Sequence, residues 1–199
     1  MTTSFGRALA CALFLIAAAI PAQATSVLPV DLDHMVKSAA VAFQGTVTDV
    51  HTERDPQAGG RIVTFVTFQV DDALKGPVGS TYTLKQIGGR LPTGESLRID
   101  GIPSYTVGES YVVFLTGPSS LGLSSPVGLS QGRFRIETTA GGREVSNGRD
   151  FRDMTASIPQ QALPPGARAR FAQTPGAKVR ALGLDDFKQL VRQRAGGGQ

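Results

Sequence analysis

Ile62-Val63-Thr64-Phe65-Val66-Thr67-Phe68 is the stretch on which the fold turns. Every side chain in it is β-branched or aromatic, so helix propensity is low and packing on a pleated surface is favoured. The run extends over Arg61–Val70 as one long strand, ended by Lys75-Gly76-Pro77. Upstream, Asp55-Pro56-Gln57-Ala58-Gly59-Gly60 is a polar turn. Before it, Val41–Val50 alternates Val41, Phe43, Gly45 and Val47 along a second strand.

Further strands follow downstream. Thr81–Ile87 sets Tyr82, Leu84 and Gln86 on one face against Thr83, Lys85 and Ile87 on the other, and Gly88-Gly89 breaks it. Leu97–Ile102 reads as another strand. Ser110–Leu115 is a near-continuous apolar run, as expected of a central strand buried on both faces. Val127–Leu129 and Arg133–Glu137 complete the sheet, with a hairpin through Ala140-Gly141-Gly142 to Val145. In front, Asp31 is placed to cap a short helix carrying Leu32, Met35, Val36 and Ala39 on one face. Five to seven short strands between Gly/Pro turns predict a mainly β protein: a small, OB-like closed barrel with a short N-terminal helix.

Residues 149–181 are rich in Pro, Ala, Gln and Arg with little periodicity and read as a flexible linker. Leu184, Phe187, Leu190 and Val191 then give a C-terminal amphipathic helix, started near Asp185-Asp186 and stopped by Gly196-Gly197-Gly198. The expected organisation is a leader over 1–24, a barrel domain over 25–148, the linker, and a helix with a Gly-rich tail over 182–199.

The leader is a secretory signal. Arg7 precedes the apolar run Ala8–Ile20, and Pro21 precedes the cleavage pattern Ala22-Gln23-Ala24. The run is too short to span a bilayer as a helix. The only cysteine, Cys11, lies inside it. Most of the apolar run follows Cys11, the wrong order for lipidation. Processing leaves a thiol-free chain starting at Thr25 in the periplasm or medium, which excludes disulfides, thiol catalysis and thiolate metal sites. With no twin-Arg pair, export of an unfolded chain is expected, and no cofactor.

Charge is unevenly spread. Residues 25–139 hold nine Lys/Arg against eleven Asp/Glu, whereas 140–199 hold ten against five. The basic C-terminal third is suited to weak contact with anionic surfaces. The slightly acidic body and the export signal argue against nucleic acid.

Catalytic motifs do not survive inspection. Gly128-Leu129-Ser130-Gln131-Gly132 matches G-x-S-x-G, but a strand follows it where a nucleophile elbow needs a helix. His34 and His51, the only histidines, both precede Ser130, the reverse of the hydrolase order. They also lack partners at a metal-ligand spacing. Asp71-Asp72 reads as a strand exit, and Asp185-Asp186 suits a helix start. No Gly-rich stretch has phosphate-loop spacing.

Three short motifs lie in order along the chain: Phe43-Gln44-Gly45-Thr46-Val47, then Leu74-Lys75-Gly76, then Gly108-Glu109-Ser110-Tyr111-Val112-Val113-Phe114. Over Thr25–Glu137 this pattern resembles the netrin-like module, the OB-type barrel of tissue inhibitors of metalloproteinases, in a cysteine-free bacterial form. The resemblance implies a non-enzymatic, protein-binding module, with an extracellular metalloprotease as one class of partner. It points to the mature N-terminus, Thr25 and Ser26, as contact residues. The inhibitors' N-terminal cysteine and its bracing disulfide are absent, so nothing covalent orders that segment. The Asp55–Gly60 and Gly89–Ser96 loops and the C-terminal helix are the other expected contacts. Two other classes stand beside this reading: a periplasmic serine hydrolase using Ser130, and an envelope-associated structural protein held by its basic tail.

Overall fold

The computed structural model describes residues 28–196. The leader, Thr25 and Ser26 lie outside the described residues. Helix α1 (Leu32–Ser38) starts where Asp31 Oδ1 accepts the His34 backbone N–H at 2.7 Å. It buries Leu32, Met35 and Val36.

Strands β1 (Val41–Asp55) and β2 (Arg61–Lys75) form a long antiparallel pair whose register shifts at three places along β1. Bulges of this kind bend a strand and increase its twist. At one of them a Cβ on Gly45 would lie 2.8 Å from the Gln69 carbonyl oxygen, so only glycine fits. The remaining strands are β3 (Thr81–Ile87), the two-residue β4 (Gly89–Arg90) and β5 (Ser96–Leu97), β6 (Ser110–Leu115), β7 (Arg133–Thr139), β8 (Gly142–Ser146) and β9 (Leu182–Gly183). β4 and β5 make a separate ribbon, and the others form one antiparallel sheet in the order β3-β2-β1-β6-β7-β8-β9.

The central strand separates two cores. Val112 and Phe114 of β6 enter one, while Tyr111, Val113 and Leu115 enter the other. In the first, Phe114, Phe134, Phe151 and Phe187 interlock with ring centroids 4.6–6.1 Å apart. Each buried ring contributes on the order of 2–3 kcal/mol through lost water contact alone. In the second, Phe43, Phe68, Tyr105 and Tyr111 follow one another edge to face at 5.3–5.4 Å.

The C-terminal third belongs to the first core. The stretch 149–181, expected to be a linker, contains α2 (Phe151–Met154) and α3 (Pro165–Gln173). It buries Phe151, Met154, Ile158, Leu163, Phe171 and Val179 in the same cluster as α4 (Leu184–Gly196). Its apolar residues escape a periodicity reading because short helical turns and polar anchors hold them. Asp150 Oδ1 accepts from the backbone N–H groups of Arg152 and Val179 at 3.1 and 3.0 Å. Arg152 donates to the carbonyls of Phe171 and Thr174 at 2.6 and 2.7 Å and lies over the Phe171 ring. α4 buries the four expected residues, Leu184, Phe187, Leu190 and Val191. It is clamped to β2 by Asp72, which pairs with Lys188 at 2.9 Å and Arg192 at 2.6 Å. Burial opposes ionisation of Asp72, but the two cations outweigh it and hold its carboxyl below the usual range.

The protein is mainly β, with seven strands in its main sheet, but the strand order is open rather than closed. Beyond β8, β9 feeds α4 instead of returning to β3. The outer edge of β3 is partly taken by the 119–125 loop: Ser124 N–H donates to the Lys85 carbonyl at 2.9 Å, and Lys85 Nζ donates to the Leu121 carbonyl at 2.9 Å. Two expected strands also take other forms. Leu97–Ile102 leaves the short ribbon for a turn, and Val127–Leu129 contributes no strand, with a bridge at Pro126 preceding a 3₁₀ turn, Leu129–Gly132.

Candidate functional site: a cleft beneath the 88–105 segment

After β3 the chain doubles back over the sheet because Gly88 and Gly89 allow it. Both have positive φ, +91° and +136°, and added Cβ atoms would lie 2.7 Å from the Leu97 carbonyl oxygen and 2.2 Å from Thr64 Oγ1. Thr64 Oγ1 donates to the Gly88 carbonyl at 2.7 Å and lies 3.0 Å from Thr52 Oγ1, so strand hydroxyls seat the crossing. Arg54 ties the ribbon to the Asp55–Gly60 turn: it pairs with Glu95 and donates to the Gly60 carbonyl at 3.1 Å. Nearby, the buried Asp55 pairs with Lys85, which is the chief reason its carboxyl is held below the usual range.

The returning arm, 98–105, is stapled from two sides. Ser130 N–H donates to the Gly101 carbonyl at 3.0 Å, with the Leu129 side chain packed against Gly101. Arg133 donates to the Ser104 carbonyl and lies over the rings of Tyr105 and Tyr111. Between this arm and the β1–β2–β3 face is an open cleft of about 450 Å³. Val50, Ile87, Leu97, Ile99 and Ile102 give it an apolar lining.

Two of the buried polar side chains in that lining hold an atom without a partner among the described residues. Gln86 is 5% exposed and donates from Nε2 to the Pro103 carbonyl at 3.0 Å, while its Oε1 has no partner among the described residues. Tyr105 is 7% exposed, and its hydroxyl also has no partner among the described residues. Burial raises the Tyr105 pKa, so that oxygen stays protonated. A buried polar atom left without a partner costs roughly 1–3 kcal/mol, so each such atom in a native fold needs an explanation. Both residues line the same cleft, and pockets of this kind carry a few polar groups that fix a ligand's orientation.

Two of the expected contact loops reach this cleft, whereas the C-terminal helix packs in the other core. Gly89 and Ser96 line it, and the Asp55–Gly60 turn is joined to it through Arg54. The first described residues are held by Gln131, whose Nε2 donates to the Leu28 carbonyl at 3.0 Å and whose Oε1 accepts the Val30 N–H at 3.0 Å. Gln86 and Tyr105 were not singled out from the sequence. The signal was there for Gln86, a polar residue on the same strand face as Leu84; Tyr105 lies in a loop and offered none.

The other candidates stay apart. Ser130 is exposed on its 3₁₀ turn and bonds neither histidine. His34 lies 3.2 Å from Ser38 Oγ, and His51 pairs with Asp49 at 2.7 Å while stacking on Phe65. Among the described residues no group of three or more His, Cys, Asp or Glu could hold a metal ion. Among the same residues no helix is long and apolar enough to cross a membrane. No protein-family model matches the chain, and no curated protein or solved structure matches it significantly.

Proposed function

We propose that the chain is an exported, non-enzymatic binding module that engages a protein partner through the 88–105 cleft and its bordering loops. The observation that carries this reading is the cleft itself, largely apolar in lining, with Gln86 and Tyr105 among its lining residues and each holding a polar atom without a partner among the described residues. Ser130 has no base bonded to it, which favours binding over hydrolysis. The signal pattern of residues 1–24 supports export, and processing leaves no cysteine. The OB-like, netrin-like reading is kept as part of the proposal. Its support is the bulged β1 with Gly45 and the doubly buried β6 that follows Gly108-Glu109. Protease contact through Thr25 and Ser26 would place an extracellular metalloprotease among the partners.

The test uses processed protein beginning at Thr25 as bait against the native organism's envelope and medium, beside a panel of zinc proteases. Specific retention of one protein, lost when Gly88→Val distorts the crossing, supports the module. Covalent labelling of Ser130 by a serine-reactive phosphonate overturns it in favour of a hydrolase. Absence of inhibition at micromolar concentration removes the protease class of partner alone.

A further inference from the structure

Resting on the cleft's reading as a binding site, we propose that it receives the carboxy-terminal end of a peptide: one amide, one apolar side chain and a free carboxylate. Each part answers to a group on the cleft wall. Gln86 spends an N–H on the Pro103 carbonyl, which fixes the amide and leaves Oε1 as an acceptor facing no donor. The Tyr105 hydroxyl is a donor, as an ordinary phenol is at neutral pH, and burial raises its pKa further. An acceptor and a donor carried by two residues that line one cleft match the N–H and C=O of a peptide unit. A lone hydroxyl or hydrocarbon would leave one of the two unpaired.

The lining between them is aliphatic, with Ile99 39% exposed although large and apolar. That suits a Leu-sized side chain. Among the described residues the only charged ones lining the cleft are Arg90 and Arg98, both exposed. Arg98 has one distant neighbour, Asp100 at 3.9 Å, and Arg90 forms no ion pair among the described residues. Two cations bordering an apolar pocket with peptide-matching polar groups select an anionic end, as carboxylate capture requires.

The probes are N-acetyl-L-leucine, N-acetyl-L-leucinamide, which lacks the carboxylate, and 4-methylpentanoate, which lacks the amide. Binding is followed by NMR through the Gln86 side-chain amide and the Tyr105 ring, to about 10 mM, the range of such small ligands. N-acetyl-L-leucine is expected to bind at least about threefold more tightly than either of the others, one good contact being worth that much. Arg90→Ser with Arg98→Ser, both on the surface, should abolish its advantage over the leucinamide while the spectrum stays folded. Tyr105→Phe, which keeps the Gln86–Pro103 bond and the ring contacts, should reduce its advantage over 4-methylpentanoate, read at the Gln86 side-chain amide. Equal binding of all three probes, or no shifts at these two residues, overturns the proposal. If a protein partner is retained while no probe binds, the ligand class fails and the binding module stands. If the probes bind and no partner protein is found, the protein-binding reading fails instead.

Discussion

The Gln86 side-chain amide donates to the Pro103 carbonyl at 3.0 Å, a fully buried bond between the end of β3 and the arm that returns over it. It fixes the height of the 98–105 arm above the sheet. It also fixes the orientation of the Gln86 amide, whose Oε1 is left buried without a partner among the described residues.

Tyr105→Phe should therefore leave the free protein as stable as before or raise its stability by up to about 1 kcal/mol, because it removes a buried hydroxyl that bonds nothing. The ring contacts with Phe68 and Tyr111 are kept. Urea unfolding of both proteins checks this. A loss well above that size would mean that the hydroxyl has a partner in the folded state.

Arg152→Ala should cost about 2–3 kcal/mol. It leaves the carbonyls of Phe171 and Thr174 without their charged donor and removes the cation over the Phe171 ring. Limited trypsin digestion gives the local readout. In the parent protein the helix bearing Arg168 and Arg170 is packed through Ala167 and Phe171 and should be cut slowly; in the variant it should be cut first.

The sheet strands were legible because their signals are local. Ile62–Phe68 can do little but extend, and the apolar run of β6 reads as buried on both faces, which its division between two cores bears out. The Asp31 cap and the buried face of α4 were legible for the same reason. The rest was not, and the causes are physical. The 149–181 stretch is held by side chain-to-backbone bonds spanning 19 to 29 residues, which leave no periodic trace. Closure of the sheet depends on which element takes the outer edge of β3, and a loop took it. The cleft shows least of all, because Tyr105 is buried only once the glycines at 88 and 89 turn the chain over.

Acid should weaken the fold through two carboxylates. Asp55 is held below its ordinary value of 3.8 chiefly by its bond to Lys85. Asp72 is held below the same value by Lys188 and Arg192 against the opposing effect of burial. A depressed folded-state pKa contributes stability that is fully present above 3.8 and is lost as pH falls through the folded-state value. Unfolding free energy should thus fall more steeply below that pH in the parent than in Asp55→Asn with Asp72→Asn. Urea titrations at a series of acidic pH values read the difference, and parallel slopes would count against both pairs. At neutral pH, Asp72→Asn alone should cost about 1–2 kcal/mol, between the values of exposed and buried pairs.

A chain ended at residue 148 should fail to fold as an independent domain, although the sequence marks a boundary there. Such a truncation keeps Phe114, Phe134 and Val145 but removes Phe151 and Phe187, the rings and helices that cover them. It also strips Asp72 of both its cations. The exposed face would be a contiguous apolar surface, the kind that binds hydrophobic dyes and drives aggregation. Phe187→Ala in the full chain gives the graded form of the same test, with an expected loss of about 3–5 kcal/mol from its place against three other rings. Calorimetry on the truncated and full chains decides between one cooperative unit and two. A sharp transition in the 148-residue chain would restore the separate barrel domain, whereas its absence, together with a single transition in the full chain, makes the C-terminal third part of the same core.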